Sequence, residues 1–279
     1  MVFLEILKAI FLGIVEGITE WLPVSSTGHM ILVDEFLQLD VSDAFLELYL
    51  VVIQLGAICA VPILFFNKLN PFSSKKTAVE KRKTWNLWGK VVVGVMPAAV
   101  IGVLLDDFFD EHFYRFEVVA IALIVYGIAF IVIEKTKKES TYRVESVYDL
   151  SYTDALKIGA FQVLSLVPGT SRSGSTILGG MICGVSRTAA SEFSFFMAIP
   201  VMLGASALKI LKFLLGGFAP TSMELILLLV GIAVSFLVSL LAIKFLMAFV
   251  KSHSFVAFGI YRIVLGAAVI GYFLIKSLV

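Results

Sequence analysis

The chain has 279 residues, 59% of them hydrophobic and only 15% charged, with a formal net charge of +1 and a mean hydropathy of +1.00. Ordinary soluble domains carry roughly 25% charged residues, so water cannot be the solvent for most of this side-chain surface. No basic domain stands apart, which gives nucleic-acid binding no footing. The two cysteines, Cys59 and Cys183, lie in apolar runs, imply no disulfide framework or metal centre, and are expected to be buried fillers.

In chain order, the first stretch, 2–37, is apolar but is interrupted near its centre by Glu16, Glu20, Pro23, Ser25, Ser26, Thr27 and His29. It lacks a basic flank and a small-residue cleavage site, so it reads as a retained segment rather than a signal peptide. Spans nearly free of charge through their middles follow at 44–66, 89–105 and 117–134, of the length a membrane helix needs, about 17–25 residues. A linker at 135–152 leads to a second interrupted stretch, 153–184, which holds Pro168, Gly169, Ser171, Arg172, Ser173 and Thr176. Three more spans complete the chain at 189–213, 223–248 and 255–276.

The two interrupted stretches resemble each other. "GIVEGITEWLPVSSTGHMIL" at 13–32 lines up with "GAFQVLSLVPGTSRSGSTIL" at 159–178, with one-residue slips around the proline. After each comes a span with a glutamate near its start, Glu47 and Glu192, and then two further spans. The expected fold is therefore an all-α integral membrane protein built as an inverted repeat. Residues 1–134 and 153–279 form its halves, each a re-entrant helix–break–helix plus three transmembrane helices. An odd number of crossings per half turns the second copy upside down.

Loop charges agree with six crossings. The loop 67–90 carries seven basic residues against Glu80 and should be cytoplasmic, as should the linker with Lys135, Lys137 and Lys138 and the turn near Lys251. The acidic loop 105–116 and the stretch 216–222 suit the outside. The first break would dip from outside and the second from the cytoplasm, their tips meeting near the midplane; eight full crossings is the competing topology.

Glu16 and Glu20 are four residues apart and share one helix face. Carboxylates at membrane depth are costly and usually serve a cavity, and a pair of them suits a hard divalent cation such as Mg2+ or Ca2+. Pro23 ends that helix, and Ser25, Ser26 and Thr27 are cap residues from which a new helix can run from Gly28. Pro168 and Gly169 make the same break in the second stretch, where Ser171 or Ser173 can cap. Helix starts bind anions, and the planar fork of Arg172 matches phosphate or carboxylate, although Arg172 could instead serve to neutralise Glu16 or Glu20. His29, the only histidine in these stretches, could exchange protons or act as a nucleophile. Together these groups describe a site for phosphoryl transfer on a lipid phosphate or diphosphate.

"EGITEWLPVSSTGH" together with "PGTSRSGST" resembles the undecaprenyl-diphosphatase family, the bacterial bacitracin-resistance phosphatases. The resemblance runs over essentially the whole chain. It implies removal of the terminal phosphate of undecaprenyl diphosphate, which recycles the lipid carrier of cell-wall synthesis, a divalent-cation requirement, and a site facing the outer side of the bacterial inner membrane. It places the acidic motif on Glu16 and Glu20, the hydroxyl and histidine motif on Ser25, Ser26, Thr27 and His29, and the arginine motif on Ser171, Arg172, Ser173 and Thr176. The expected division of labour has Glu16 and Glu20 hold the metal or tune the nucleophile, one of them being able to act as a general base. It gives attack to Ser26 with His29 moving its proton, and the diphosphate to Arg172 and the helix starts. Ser25, Thr27, Ser171, Ser173 and Thr176 complete the substrate contacts. Attack by His29 or by a metal-activated water stays open, as does a homodimer. A lipid-phosphate transporter using the same anion site is the main rival. A phosphatidic-acid-type phosphatase fails for want of a suitable histidine after Arg172.

Overall fold

The computed structural model describes residues 2–113, 115–137 and 142–278, without the side chains of Asp34, Asp106, Asp107, Asp110 and Leu278. Lys138 and those acidic side chains, counted in the charge argument above, lie outside the described residues. The chain is an all-α integral membrane protein. Its helices are α1 (Val2–Thr19), α2 (Ser26–Asp34), α3 (Asp43–Leu64), the short α4 (Phe66–Leu69), α5 (Ala78–Phe113), α6 (Phe116–Thr136), α7 (Tyr152–Val163), α8 (Arg172–Ile182), α9 (Arg187–Leu215), α10 (Ser222–Phe249) and α11 (Val256–Leu278). Among the described residues six helices are long and apolar enough to cross a bilayer: α3, α5, α6, α9, α10 and α11.

Local chemistry sets many of the helix starts. Ser42, Ser186 and Thr221 each accept a backbone N–H of the first turn, and Ser151 and Thr221 form reciprocal capping boxes with Asp154 and Glu224. The "loop" 67–90 is a correction: α5 begins at Ala78, so Lys81, Arg82, Lys83 and Lys90 ride on a helix that extends beyond its apolar part. At its far end α5 kinks at Leu105 (φ −125°, ψ 15°) and continues as a terminal piece where a loop was expected. The linker from 142 onward packs against the helices. Val144, Val147 and Leu150 are buried, and Val144 makes an isolated parallel bridge with Val185.

In lipid, apolar side chains gain little by facing one another, so helix association falls to close packing of small residues and to buried polar contacts. Leu229 and Leu241 on α10 are 65% and 68% exposed, as befits a lipid-facing surface. On the same helix Gly231 and Ser235 meet α1. A Cβ added at Gly13 would stand 2.9 Å from the Gly231 carbonyl oxygen, and one at Gly17 2.8 Å from that of Ser235. Helix α7 crosses α5 in the same manner, Gly159 against Gly94, and α6 crosses α11 through Gly127 and Gly259. Helices α3 and α9 pack together antiparallel, with Glu47 near the start of α3 paired to Lys209 near the end of α9 at 2.6 Å. Lys68 of α4, just beyond the end of α3, pairs with Glu192 near the start of α9, also at 2.6 Å. Aromatic rings, among them Trp21, Phe193, Phe195 and Phe196, fill the centre beside the two breaks. Cys59 is exposed rather than buried, and both cysteines are free.

Candidate active site

Two helix breaks build the site, and the same local geometry occurs in both. After α1 ends, Glu20 N–H still bonds Glu16 O at 3.0 Å, and the chain then turns through Pro23. Ser25 caps α2 with φ 71° and ψ 104°, its hydroxyl accepting the Gly28 N–H at 3.3 Å. After α7 a 3-10 turn at Leu164–Leu166 leads to Pro168 and to Gly169 at φ 87°. Ser171 then caps α8 with φ 73° and ψ 126°, accepting the Gly174 N–H at 3.1 Å. Of the two candidates for that cap, the structure thus selects Ser171. Positive φ is strained for any residue with a Cβ, costing about 1–3 kcal/mol each, and such strain gathers at functional sites. Ser25 and Ser171 are the only non-glycine positions of this kind among the described residues.

The breaks touch. The Ser173 hydroxyl lies within reach of two carbonyl oxygens of the first break, Glu20 at 3.1 Å and Leu22 at 3.2 Å. Arg172 Nη2 donates to Glu20 Oε1 at 3.0 Å, and Nε reaches the same oxygen at 3.3 Å. Nη1 goes to the Ser194 carbonyl at 2.8 Å, and the guanidinium lies 5.8 Å from the Trp21 ring. Ser26 donates to the other carboxylate oxygen of Glu20 at 3.2 Å. Glu20 therefore receives the arginine of one break and the hydroxyl of the other on its two oxygens. Glu20 is buried and Arg172 nearly so, with 8% and 10% of their side chains exposed. Neutralisation of Glu20 by Arg172, raised above as an alternative, is a contact the protein makes. Thr176 donates to Arg172 O at 2.9 Å and bonds the Ser194 hydroxyl at 2.6 Å, fixing the first turn of α8 against α9.

Glu16 is buried, and its Oε1 has no hydrogen-bond partner. A buried carboxylate oxygen left unpaired is costly and suits a further ligand. With Glu20 close behind in the chain it offers the oxygen donors a hard divalent cation prefers, water and substrate phosphate supplying the rest. No group of three or more histidine, cysteine or acidic side chains with ligand geometry occurs among the described residues. Glu16 and Glu20 are the carboxylates that would hold such an ion.

His29 points away from the cluster. Its Nδ1 donates to the Ser25 carbonyl at 2.7 Å, and Nε2 meets the Tyr261 hydroxyl at 2.7 Å. Among the described contacts none joins His29 to Ser26. It lines instead an apolar groove of about 610 Å3 between α1, α10 and α11, with Ile14, Ile18, Phe245 and Tyr261. Thr27 makes no side-chain hydrogen bond among those described and is half-buried. Sequence reasoning missed Ser194 and Tyr261, which carry no distinctive pattern, and Arg262. The last did carry a signal, a charge inside a span that mean hydropathy concealed.

A membrane-spanning all-helical bundle with two broken helices joined at a buried acid–arginine–serine cluster is the class of protein these observations define. The model of the family described as bacitracin resistance protein BacA matches residues 9–268, and the chain belongs to that family. It is 59% identical to an undecaprenyl-diphosphatase of Enterococcus faecalis over 98% of this chain and 99% of the relative. Relatives of the same description from Acetivibrio thermocellus (57%, covering 97% and 98%) and Desulfitobacterium hafniense (54%, covering all of both chains) match equally fully.

Proposed function

We propose that the chain is a membrane phosphatase that hydrolyses undecaprenyl diphosphate to undecaprenyl phosphate and inorganic phosphate, returning the lipid carrier to cell-wall synthesis and conferring bacitracin resistance by consuming the lipid that the antibiotic sequesters. The observation that carries this reading is Glu20 held between Arg172 and Ser26, beside two helix starts, in a chain homologous from end to end to undecaprenyl-diphosphatases.

The reading assigns the diphosphate to Arg172 and to the free first-turn N–H groups of α2 and α8, where helix dipoles favour an anion. The lipid tail runs into the apolar groove lined by His29 and Tyr261. Ser26 attacks the terminal phosphorus as its proton passes to Glu20, 3.2 Å away. A new phosphorus–serine oxygen bond forms, the bond to the bridging oxygen breaks, and undecaprenyl phosphate departs. Water then attacks the phosphoserine and frees inorganic phosphate. Arg172 stabilises the charge spread over the transferring group. Glu16 and Glu20 would hold the Mg2+ or Ca2+ ion, which when bound neutralises phosphate charge. His29 fixes the Ser25 carbonyl and so the strained cap next to the nucleophile. Rapid quench of purified protein with labelled substrate should trap label on Ser26. An active enzyme yielding no phosphoserine would hand attack to His29 or to water.

The inverted repeat belongs to the same proposal. Equivalent positions behave alike in both halves: Ser25 with Ser171, Gly13 with Gly159, and Glu47 with Glu192. We read the site as opening to the outer face of the inner membrane, with the basic loops in the cytoplasm. Transporters share such architecture, and movement of labelled lipid across vesicles without phosphate release would favour that rival.

A further inference from the structure

Arg262, in the second turn of α11, is fully buried at 0% exposure. A guanidinium at that depth is expensive and would ordinarily face a carboxylate. Every hydrogen bond described for it ends instead on a backbone carbonyl. Nη1 donates to Pro23 O at 3.0 Å, and Nη2 to Gly169 O at 2.9 Å and Thr170 O at 3.0 Å, while Nε reaches Leu123 O at 3.4 Å. Pro23 lies in the first break, Gly169 and Thr170 in the second. One planar fork thus spans both. Tyr126 covers it, its ring centroid 5.6 Å from the guanidinium carbon. A Cβ added at Gly174, in the first turn of α8, would stand 3.2 Å from Nη1, so the charge sits directly behind one of the helix starts.

We propose that Arg262 is a positioning residue for the phosphatase reaction, clamping the two breaks at the separation that lets Ser26 and Arg172 act on one diphosphate. The proposal rests on the phosphatase reading. The fork supplies geometry, since only a rigid planar group can serve carbonyls from two loops at once. Its charge is met by carbonyl dipoles and the face of the Tyr126 ring, with no carboxylate among the described contacts, and adds a fixed positive field behind the anion's seat. Breaks held only by the Ser173 hydroxyl and the Arg172–Glu20 pair would shift when that pair opens to admit phosphate. Arg262 touches neither Glu20 nor Arg172 and holds the frame while they rearrange.

Two variants separate fork from charge. Arg262→Lys keeps the charge and loses the bridge, and kcat should fall by about 100-fold, the scale of a displacement near 1 Å, with KM within a few-fold. Arg262→Gln also loses the charge, and KM should rise as well. Spin labels at Ile18 and Leu164, in protein with both cysteines replaced, read the spacing of the breaks without recourse to activity. The distance distribution should be narrow in the parent and broad in either variant. Unchanged distances with kcat and KM within twofold would overturn the proposal. So would an activity loss that merely follows the folded fraction. If neither variant folds, Tyr126→Leu uncovers the guanidinium while leaving its donors in place. A several-fold fall in its kcat supports the clamp, and parent-like kinetics overturn it. A parent protein that releases no phosphate from undecaprenyl diphosphate would remove the phosphatase reading, while the label distances would still judge the clamp.

Discussion

Arg172 and Glu20, 152 positions apart in the chain, meet at 3.0 Å and join the two broken helices into one site. This pair makes the first prediction sharp. Arg172→Lys keeps a positive charge but not the fork that reaches Glu20 and Ser194 together. Turnover should fall by about 1,000-fold or more, the range attributed to an arginine that stabilises a transferring phosphoryl group. Thermal unfolding in detergent should remain cooperative. Phosphate release within tenfold of the parent would reduce Arg172 to a counter-ion for Glu20.

Glu16 provides the second. In the alignment of the two similar stretches Glu16 falls opposite Gln162, also buried, with both amide atoms unpartnered. A neutral amide is thus tolerated at the matching place of the second stretch, and Glu16→Gln should fold normally. What it should lose is the metal. Added Mg2+ or Ca2+ should raise the melting temperature of the parent in the presence of inorganic pyrophosphate and leave the variant unmoved, as binding to the native state alone predicts. An equal rise in both proteins would free Glu16 of that role.

The two clusters were legible in the sequence because proline, glycine and cap residues inside an apolar run have few other readings. Charge and hydroxyls beside them limited the chemistry. The orientation of His29 was not legible, since the direction in which α2 leaves its strained cap depends on Ser25 at φ 71°, a value no neighbouring residue dictates. Arg262 was missed for a different reason. Averaged over a span, one arginine among valine, isoleucine and glycine leaves the mean hydropathy high. Spans also ran longer than their apolar cores, as α5 does, because polar residues outside the bilayer are free to continue a helix.

Asp154 gives a pH-dependent prediction away from the membrane-spanning segments. Burial pushes its carboxyl up, but the Arg143 guanidinium and the Ser151 N–H and hydroxyl outweigh that and hold it at about 2. An unfolded aspartate titrates near 3.9. The folded state thus binds this proton more weakly, so the stabilisation is complete above about pH 4 and is lost as pH falls towards 2. In Asp154→Asn the acid limb of stability against pH should be shallower between those values, and the linker, tied to α7 through Arg143, should become the first segment cleaved by protease. Parallel acid limbs would refute the assignment.

Glu47 and Glu192 each follow one of the two similar stretches in the sequence and each pairs with a lysine at 2.6 Å, yet their surroundings differ. The Glu47 side chain is 67% exposed, whereas that of Glu192 is only 9% exposed and receives Lys68 on both oxygens. An exposed ion pair contributes about 0–1 kcal/mol, because solvent screens it and ordering the side chains offsets much of the gain. A hydrogen bond to a charged group in buried surroundings is worth about 1.5–3 kcal/mol. Glu47→Gln should therefore leave unfolding nearly unchanged, while Glu192→Gln should lower stability measurably, and added salt should narrow the difference only slightly. The double variant should cost about the sum of the two, since the pairs sit at opposite ends of α3 and α9 with no shared partner. Equal losses from the two single changes would mean that burial of Glu192 adds nothing to its pairing with Lys68.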